Sequence, residues 1–415
     1  MDRIYRMKSR AVCRGSQVPG LVQIVLGLRQ FGILYILLIL AVFLSVFPSC
    51  QFEVGHRHLG SEAVLFAWFP MEILLTSPEL ERLLADELHR VYPGVSSAVI
   101  GPGVFTTQFP SSKVSLPPLV FARQWLPEAR AVEIASIRSA AEVAASGIVG
   151  GLPDEQPWRL HVVPHYGSEG AGQNRCRLIQ EAVLEQLQKR RRRLRKKLSP
   201  ATTRFGPSES LVQLVLIAPD QGFLSLAPAP VPRMQYRLIS PFLKGGIPIA
   251  SDKAAPSRAF AKLLEAEQRL GLAIGPGDTC ADLGATPGSW SYIAINRGAL
   301  VQAVDRSPLR DDLMRNKNLV FHQGDAFAFE PSAPVDWLLC DIIAAPARSI
   351  GLLTDWLKRK LCRRFIVTIK FKGEGEYAQL EGLKAVLAGL AQRWSIQHLC
   401  ANKNEACAFG ELDGE

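Results

Sequence analysis

The chain has no Cys-x-x-Cys pair, and its eight cysteines (13, 50, 176, 280, 340, 362, 400, 407) have no histidine-rich partner spacing. That argues against a zinc site and a small disulfide scaffold, and it fits a reducing, cytoplasmic setting. It also lacks a Gly-x-Gly-x-x-Gly fingerprint. Acidic residues are in deficit, 38 against 48 Lys and Arg, giving a formal charge of +10. A balance of that sign points to a polyanionic partner or an acidic membrane surface. Hydrophobic residues, at 48%, are plentiful enough to exclude wholesale disorder, and 415 residues exceed one compact domain.

Residues 1–70 read differently from the rest. Arg3, Arg6, Lys8, Arg10 and Arg14 precede an uncharged apolar run, Phe31 to Phe47, of a length at the lower edge of what spans a bilayer. A membrane anchor, a secretory signal and an extension translated from upstream of the true start compete here. The long basic stretch and the absence of later extracellular features disfavour the signal.

From Met71 the pattern is that of an α/β protein. Strands are expected at Ile73 to Thr76, Leu119 to Arg123, Trp158 to Val163 and Leu211 to Ala218. A helix is expected from Pro78 to Val91, with Leu80, Leu83, Leu84 and Leu88 on one face. A second, from about Cys176 to Leu198, starts amphipathic and ends in a basic run. Eight of the nine residues from Lys189 to Lys197 are basic: Lys189, Arg190, Arg191, Arg192, Arg193, Arg195, Lys196 and Lys197. The interleaving suits an α+β, ferredoxin-like module. Ala227 to Pro232 is a linker candidate.

The second half alternates more regularly. Thr279 to Leu283, Leu300 to Val304, Leu319 to His322, Trp337 to Cys340 and Arg364 to Ile369 read as buried strands of a doubly wound, Rossmann-like parallel sheet. Such sheets bind ligands at the carboxyl ends of their strands, so the residues at each exit matter most. The first exit is the small-residue turn Asp282 to Trp290, containing Gly284, Thr286, Pro287, Gly288 and Ser289. Asp305 ends the second strand, where a carboxylate can accept from ribose hydroxyls. Asp325 follows the third, placed to touch an adenine edge. Singly each suits a loop or cap aspartate. In order at three strand ends they favour an adenosyl ligand without a pyrophosphate, S-adenosyl-L-methionine. Asp341 closes the fourth strand and Lys370 the fifth. Burial and a second ammonium nearby would lower a lysine's pKa and let it act as a base. Lys262, on the helix expected from Pro256 to Leu263, is a candidate for that second ammonium, and Glu405 for its anchor. By spacing alone, both are ordinary surface charges.

Lys262, Asp341, Lys370 and Glu405 resemble, in order, the Lys-Asp-Lys-Glu tetrad of FtsJ-like ribose 2′-O-methyltransferases, and the turn from Asp282 resembles their DLGAxPGGW motif. Ser240-Pro241-Phe242, Gly246-Ile247-Pro248 and Ala255-Pro256-Ser257-Arg258 are similar to the lead-in of the RlmM family. Phe121-Ala122-Arg123-Gln124-Trp125 and Ile217-Ala218-Pro219 resemble that family's THUMP-containing half. The resemblance implies three regions: 1–70 as an extension, 71–232 as a THUMP-like RNA-binding region, and 233–415 as the methyltransferase domain. It implies 2′-O-methylation of a ribose, a cytidine, in 23S rRNA or a large-subunit precursor, with no metal. Lys370 is then the proton acceptor, with Lys262, Asp341 and Glu405 completing the catalytic set. Gly284, Thr286 to Ser289, Asp305, Asp325 and Asp341 line the cofactor. The basic run then contacts RNA phosphates. Two positions depart from the family pattern. Ser289 replaces the second glycine of PGG, which should restrict the turn, and Ala259 replaces a serine. They support the competing reading, a non-catalytic RNA-binding or assembly protein that keeps the fold. The family's first strand matches Ile73 to Thr76, so translation from Met71 is the preferred reading of the amino terminus. A membrane association is expected only if residues 1–70 are translated.

Overall fold

The structure, a computed structural model, describes residues 5–8, 23–26, 71–107, 119–168, 170–200, 208–229, 240, 242–247 and 249–412. Residues 1–70 form one unit and residues 71–415 another. In the first, strands β1 (Tyr5–Lys8) and β2 (Gln23–Leu26) pair antiparallel. The apolar run Phe31 to Phe47 lies outside the described residues. Among the described residues no helix is long and apolar enough to cross a membrane.

The second unit contains two seven-stranded sheets. The amino-terminal sheet is built from β3 (Met71–Leu75), β4 (Ser97–Gly101), β5 (Val104–Thr107), β6 (Gln124–Glu133), β7 (Trp158–Pro164), β8 (Ser210–Ala218) and β9 (Gln221–Ala227), ordered β4-β5-β3-β6-β9-β8-β7. All its pairings are antiparallel except β7 with β8. Helices α1 (Glu81–Val91), α2 (Ile137–Gly151), α3 (Gln173–Arg190) and α4 (Arg192–Lys196) accompany it.

Several expectations for this half need correction. Leu119 to Arg123 is not a strand, although Leu119, Val120 and Phe121 are buried. The backbone N–H groups of Val120 and Phe121 donate to the Glu87 carboxylate, at 2.8 and 3.1 Å, so a side chain replaces the ladder. The strand begins one residue later, at Gln124. Helix α2 was not anticipated, although Ser136 and Ser139 form a reciprocal capping box and Ala140, Ala141, Ala144, Ala145 and Ile148 make its buried stripe. The expected helix from Cys176 to Leu198 breaks at Arg191, whose φ of −147° and ψ of 67° are not helical. The expected linker starts too early, because β9 runs through Ala227; residues 230–232 lie outside the described residues.

The second sheet has β10 (Thr279–Leu283), β11 (Leu300–Asp305), β12 (Leu319–Gln323), β13 (Val335–Cys340), β14 (Cys362–Lys370), β15 (Ala391–Gln397) and β16 (Glu405–Leu412), ordered β12-β11-β10-β13-β14-β16-β15. The first five of that order are parallel, as their apolar character requires. The last described strand, β16, inserts antiparallel between β14 and β15. The order turns outward in two directions from the β10–β13 pair, and this switch point fixes where a ligand crevice opens. Helices α5 (Phe260–Leu270), α6 (Ser289–Asn296), α7 (Asp311–Met314), α8 (Pro346–Lys358) and α9 (Gln379–Leu390) belong to this half. The helix expected from Pro256 starts later, at Phe260, with the Pro256 to Ala259 stretch held as a turn.

The two halves share a core. Leu74, Leu84, Leu88, Phe105 and Phe121 pack in one cluster with Leu338, Trp356, Phe365, Tyr377 and Leu383. A buried ion pair crosses the same contact, with Lys384 Nζ 2.9 Å from Glu87 Oε1.

Candidate active site

The exit of β10 is shaped by two glycines that need left-handed backbone. Gly284 has φ 75° and Gly288 φ 106°. A Cβ on Gly284 would strike Ile342, and one on Gly288 would strike Leu313, so both positions exclude larger residues. Ser289 has no such requirement and begins α6. Its hydroxyl is 2.7 Å from that of Ser257, and Trp290 Nε1 donates to Ala259 O at 2.8 Å. The expectation that serine here restricts the turn is therefore corrected: the strained position is Gly288, and Ser289 fastens the stretch ahead of Lys262.

Asp282 is fully enclosed, with Oδ2 accepting from Ser291 N at 2.9 Å and Ser291 Oγ at 2.6 Å. Burial pushes its carboxyl up to about 7, against the lowering effect of those bonds. Asp305 closes β11 and accepts from Thr286 N (3.1 Å) and Ser307 N (3.0 Å), tying the two strand exits together. Thr286 and Pro287 are exposed. Asp325, beyond β12, lies 3.4 Å from Arg306 and keeps 42% of its side chain exposed. Gly284, Thr286, Asp305 and Asp325 thus occupy three successive parallel strand exits.

The other four residues converge at the exits of β13 and β14. Lys262 Nζ is 2.7 Å from Asp341 Oδ2 and 3.0 Å from Glu405 Oε1. Lys370 Nζ is 3.0 Å from Asp341 Oδ1, 3.0 Å from Asp341 O and 3.8 Å from Glu405 Oε2. Residues 79 and 143 positions from Lys262 in the chain meet because β16 returns beside β14, pairing Lys370 with Glu405. Burial works against the Lys262 ammonium, but Asp341 and Glu405 override it and hold its proton affinity above the ordinary lysine range. Burial likewise opposes the Asp341 carboxylate, and the Lys262 and Lys370 ammonium groups outweigh it, holding Asp341 below the usual range. The two lysines differ in access: the Lys262 side chain is 8% exposed and that of Lys370 23%. Both line a cleft of about 1120 Å³, together with Glu405, Arg258, Lys372 and Lys403.

Residues not singled out from sequence also shape this site. Thr368 Oγ1 is 2.6 Å from Asp341 Oδ1. The loop before Glu405 is held from the amino-terminal half: His398 N donates to Val120 O at 2.9 Å, and Arg123 Nη1 contacts Cys400 Sγ at 2.8 Å. Motif spacing carries no signal for such long-range partners.

The basic run stands apart from the cleft lining. Its centre is anchored by Leu194, fully buried, whose carbonyl accepts from Trp158 Nε1 at 2.7 Å. Lys189 pairs with Glu185, Arg190 bonds Ser146 Oγ, and Arg191 pairs with Asp154. Arg192, Arg193, Lys196 and Lys197 are exposed, and Arg195 is half-buried.

The FtsJ-like methyltransferase family matches residues 255–370. Ribosomal RNA large subunit methyltransferase M of Stutzerimonas stutzeri is 38% identical over 156 residues, covering 36% of this chain and 45% of the relative. The same-named protein of Pseudomonas putida is 41% identical over 150 residues, covering 33% and 41%. That of Azotobacter vinelandii is 38% identical over 157 residues, covering 36% and 44%. The matched part thus spans less than half the length of these curated relatives. Alignment to solved structures is loose: TrmN from Thermus thermophilus gives a TM-score of 0.29 at 14% identity, covering 82% of this chain and 100% of that one. Residues 255–370 match the FtsJ-like methyltransferase family, and over 150 to 157 residues the chain is similar to the large-subunit ribosomal RNA methyltransferase M proteins.

Proposed function

We propose that this protein methylates the 2′-hydroxyl of a ribose, a cytidine, in 23S rRNA or a large-subunit precursor, using S-adenosyl-L-methionine, in the cytoplasm. The observation that carries the reading is the Lys262–Asp341–Lys370–Glu405 cluster in an open cleft beside the β10 exit. The cofactor, when bound, supplies an electrophilic methyl group. The donor set suits it: Asp305 and Asp325 offer carboxylate oxygens at adjacent strand ends, and Gly284 and Gly288 present backbone without a side chain at two positions of the turn.

A ribose hydroxyl is a poor nucleophile at neutral pH, so alignment and proton removal dominate the task. Lys370 is the more accessible lysine and accepts the hydroxyl proton at Nζ. Lys262 remains an ammonium that ties Asp341 to Glu405, and the same two carboxylates orient Lys370, at 3.0 and 3.8 Å. The amino-terminal half, 71–232, acts as a THUMP-like RNA-binding region, with Lys189 to Lys197 meeting phosphates. The direct test is Lys370→Ala. Methyl transfer to a 23S rRNA transcript should vanish while the calorimetric affinity for S-adenosylmethionine stays within about twofold. Equal loss of both would make Lys370 a structural residue. Mapping 2′-O-methyl positions in cells with and without the gene identifies the nucleotide.

A further inference from the structure

Thr368 lies on β14, two residues before Lys370, so both side chains project from the same face of the strand. It is fully buried, in a stretch of Phe365, Ile366, Val367 and Ile369 that is otherwise apolar. Its hydroxyl has two acceptors in range. Cys340 O is 3.4 Å away and Asp341 Oδ1 only 2.6 Å, the short distance of a hydroxyl donating to a carboxylate. The same oxygen, Asp341 Oδ1, also receives Lys262 Nζ at 2.9 Å and Lys370 Nζ at 3.0 Å. One carboxylate oxygen has about two lone-pair sites, so three donors compete for it. The shortest contact belongs to the hydroxyl.

We propose that Thr368 is a positioning residue for the proton acceptor: by donating to Asp341 Oδ1 it fixes the carboxylate's rotation and withdraws negative charge that would otherwise hold the proton on Lys370. The role rests on the methyl-transfer reading for its catalytic meaning, though the arrangement can be measured without turnover. Two consequences follow from the geometry. Lys262 Nζ reaches Oδ2 as well, at 2.7 Å, whereas Lys370 Nζ meets the carboxylate at the shared Oδ1, at 3.0 Å. With Oδ1 shared among three donors, less negative charge faces the Lys370 amine.

Valine matches threonine in shape and lacks the donor; serine keeps the donor. In the full chain, acetic anhydride labelling of Lys370 across pH, quantified by mass spectrometry, reports when its amine is neutral. Thr368→Val should move the labelling midpoint upward by about one pH unit, since a hydrogen bond to a charged group is worth about that much. Methyl transfer at pH 7 should fall about tenfold, with the pH at half-maximal kcat rising in parallel. Thr368→Ser should restore both. An unmoved midpoint in Thr368→Val overturns the proposal, whatever happens to kcat or Tm. A shifted midpoint in a protein whose wild type transfers no methyl group upholds the Thr368 arrangement and overturns the methyl-transfer reading instead.

Discussion

Asp282 is a poorly solvated carboxyl, 2% exposed, bonded by Ser291 and repelled by Asp341 and Asp305. Its folded pKa of about 7 stands above the unfolded value of 3.8. The folded state therefore binds the proton more tightly, and stability falls as pH rises through that window. Asn at 282 can accept the same two bonds and never ionises. Relative to Asp282→Asn, the wild type should lose a few kcal/mol between about pH 4 and pH 7, read by urea denaturation at each pH. A pH-independent difference would show that Asp282 stays ionised throughout. The residue scale is also where the sequence was hardest to read. Asp282, Asp305 and Asp341 stand out because strand exits are where a parallel sheet presents polar groups. Thr368 does not, because threonine is an ordinary strand residue and its partner is 27 positions away.

At the scale of elements, legibility followed burial. Strands β10, β11, β13 and β14 are largely buried apolar runs, while β12, at the sheet's edge, buries only Leu319; all five expected spans fall within the observed ones. Strand β15 was missed because Ala391 to Gln397 is polar and mostly exposed or half-buried, leaving no run to see. Helix α4 shows what a charge run conceals. Leu194 and Trp158 pin it, so its exposed cations project from a fixed turn. Changing Arg192, Arg193, Lys196 and Lys197 together to Gln should weaken binding of a 23S rRNA fragment. The slope of log affinity against log salt should drop by about 3 if all four meet phosphates. Lys189 and Arg191 already pair with Glu185 and Asp154, so altering them should change the slope less.

For the molecule as a whole, the decisive contact is between the halves. Glu87 accepts from Val120 N, Phe121 N and Lys384 Nζ while only 1% exposed. Glu87→Ala would strand two amide donors inside the shared core and leave the Lys384 ammonium with Glu381, 3.0 Å away, at a cost of about 3 kcal/mol in urea denaturation. The loss should change little with salt, since the pair is shielded from solvent. A domain boundary near 232 is natural from composition because the prolines of Ala227 to Pro232 mark it. The contacts that join Leu84 and Phe121 to Phe365 and Leu383 leave no trace in local pattern.

The position of β16 has a temporal meaning. Ribosomes make the chain from the amino end, so Lys262, Asp341 and Lys370 emerge before Glu405. Strand β15 emerges earlier too, yet its one partner in the sheet is β16. Until the last described strand arrives, the growing polypeptide has an open seam beside β14 and three of four charges in its cleft. On the proposed methyl-transfer reading, a chain that has not reached Glu405 lacks one carboxylate of the cluster that pairs with Lys262 and Lys370.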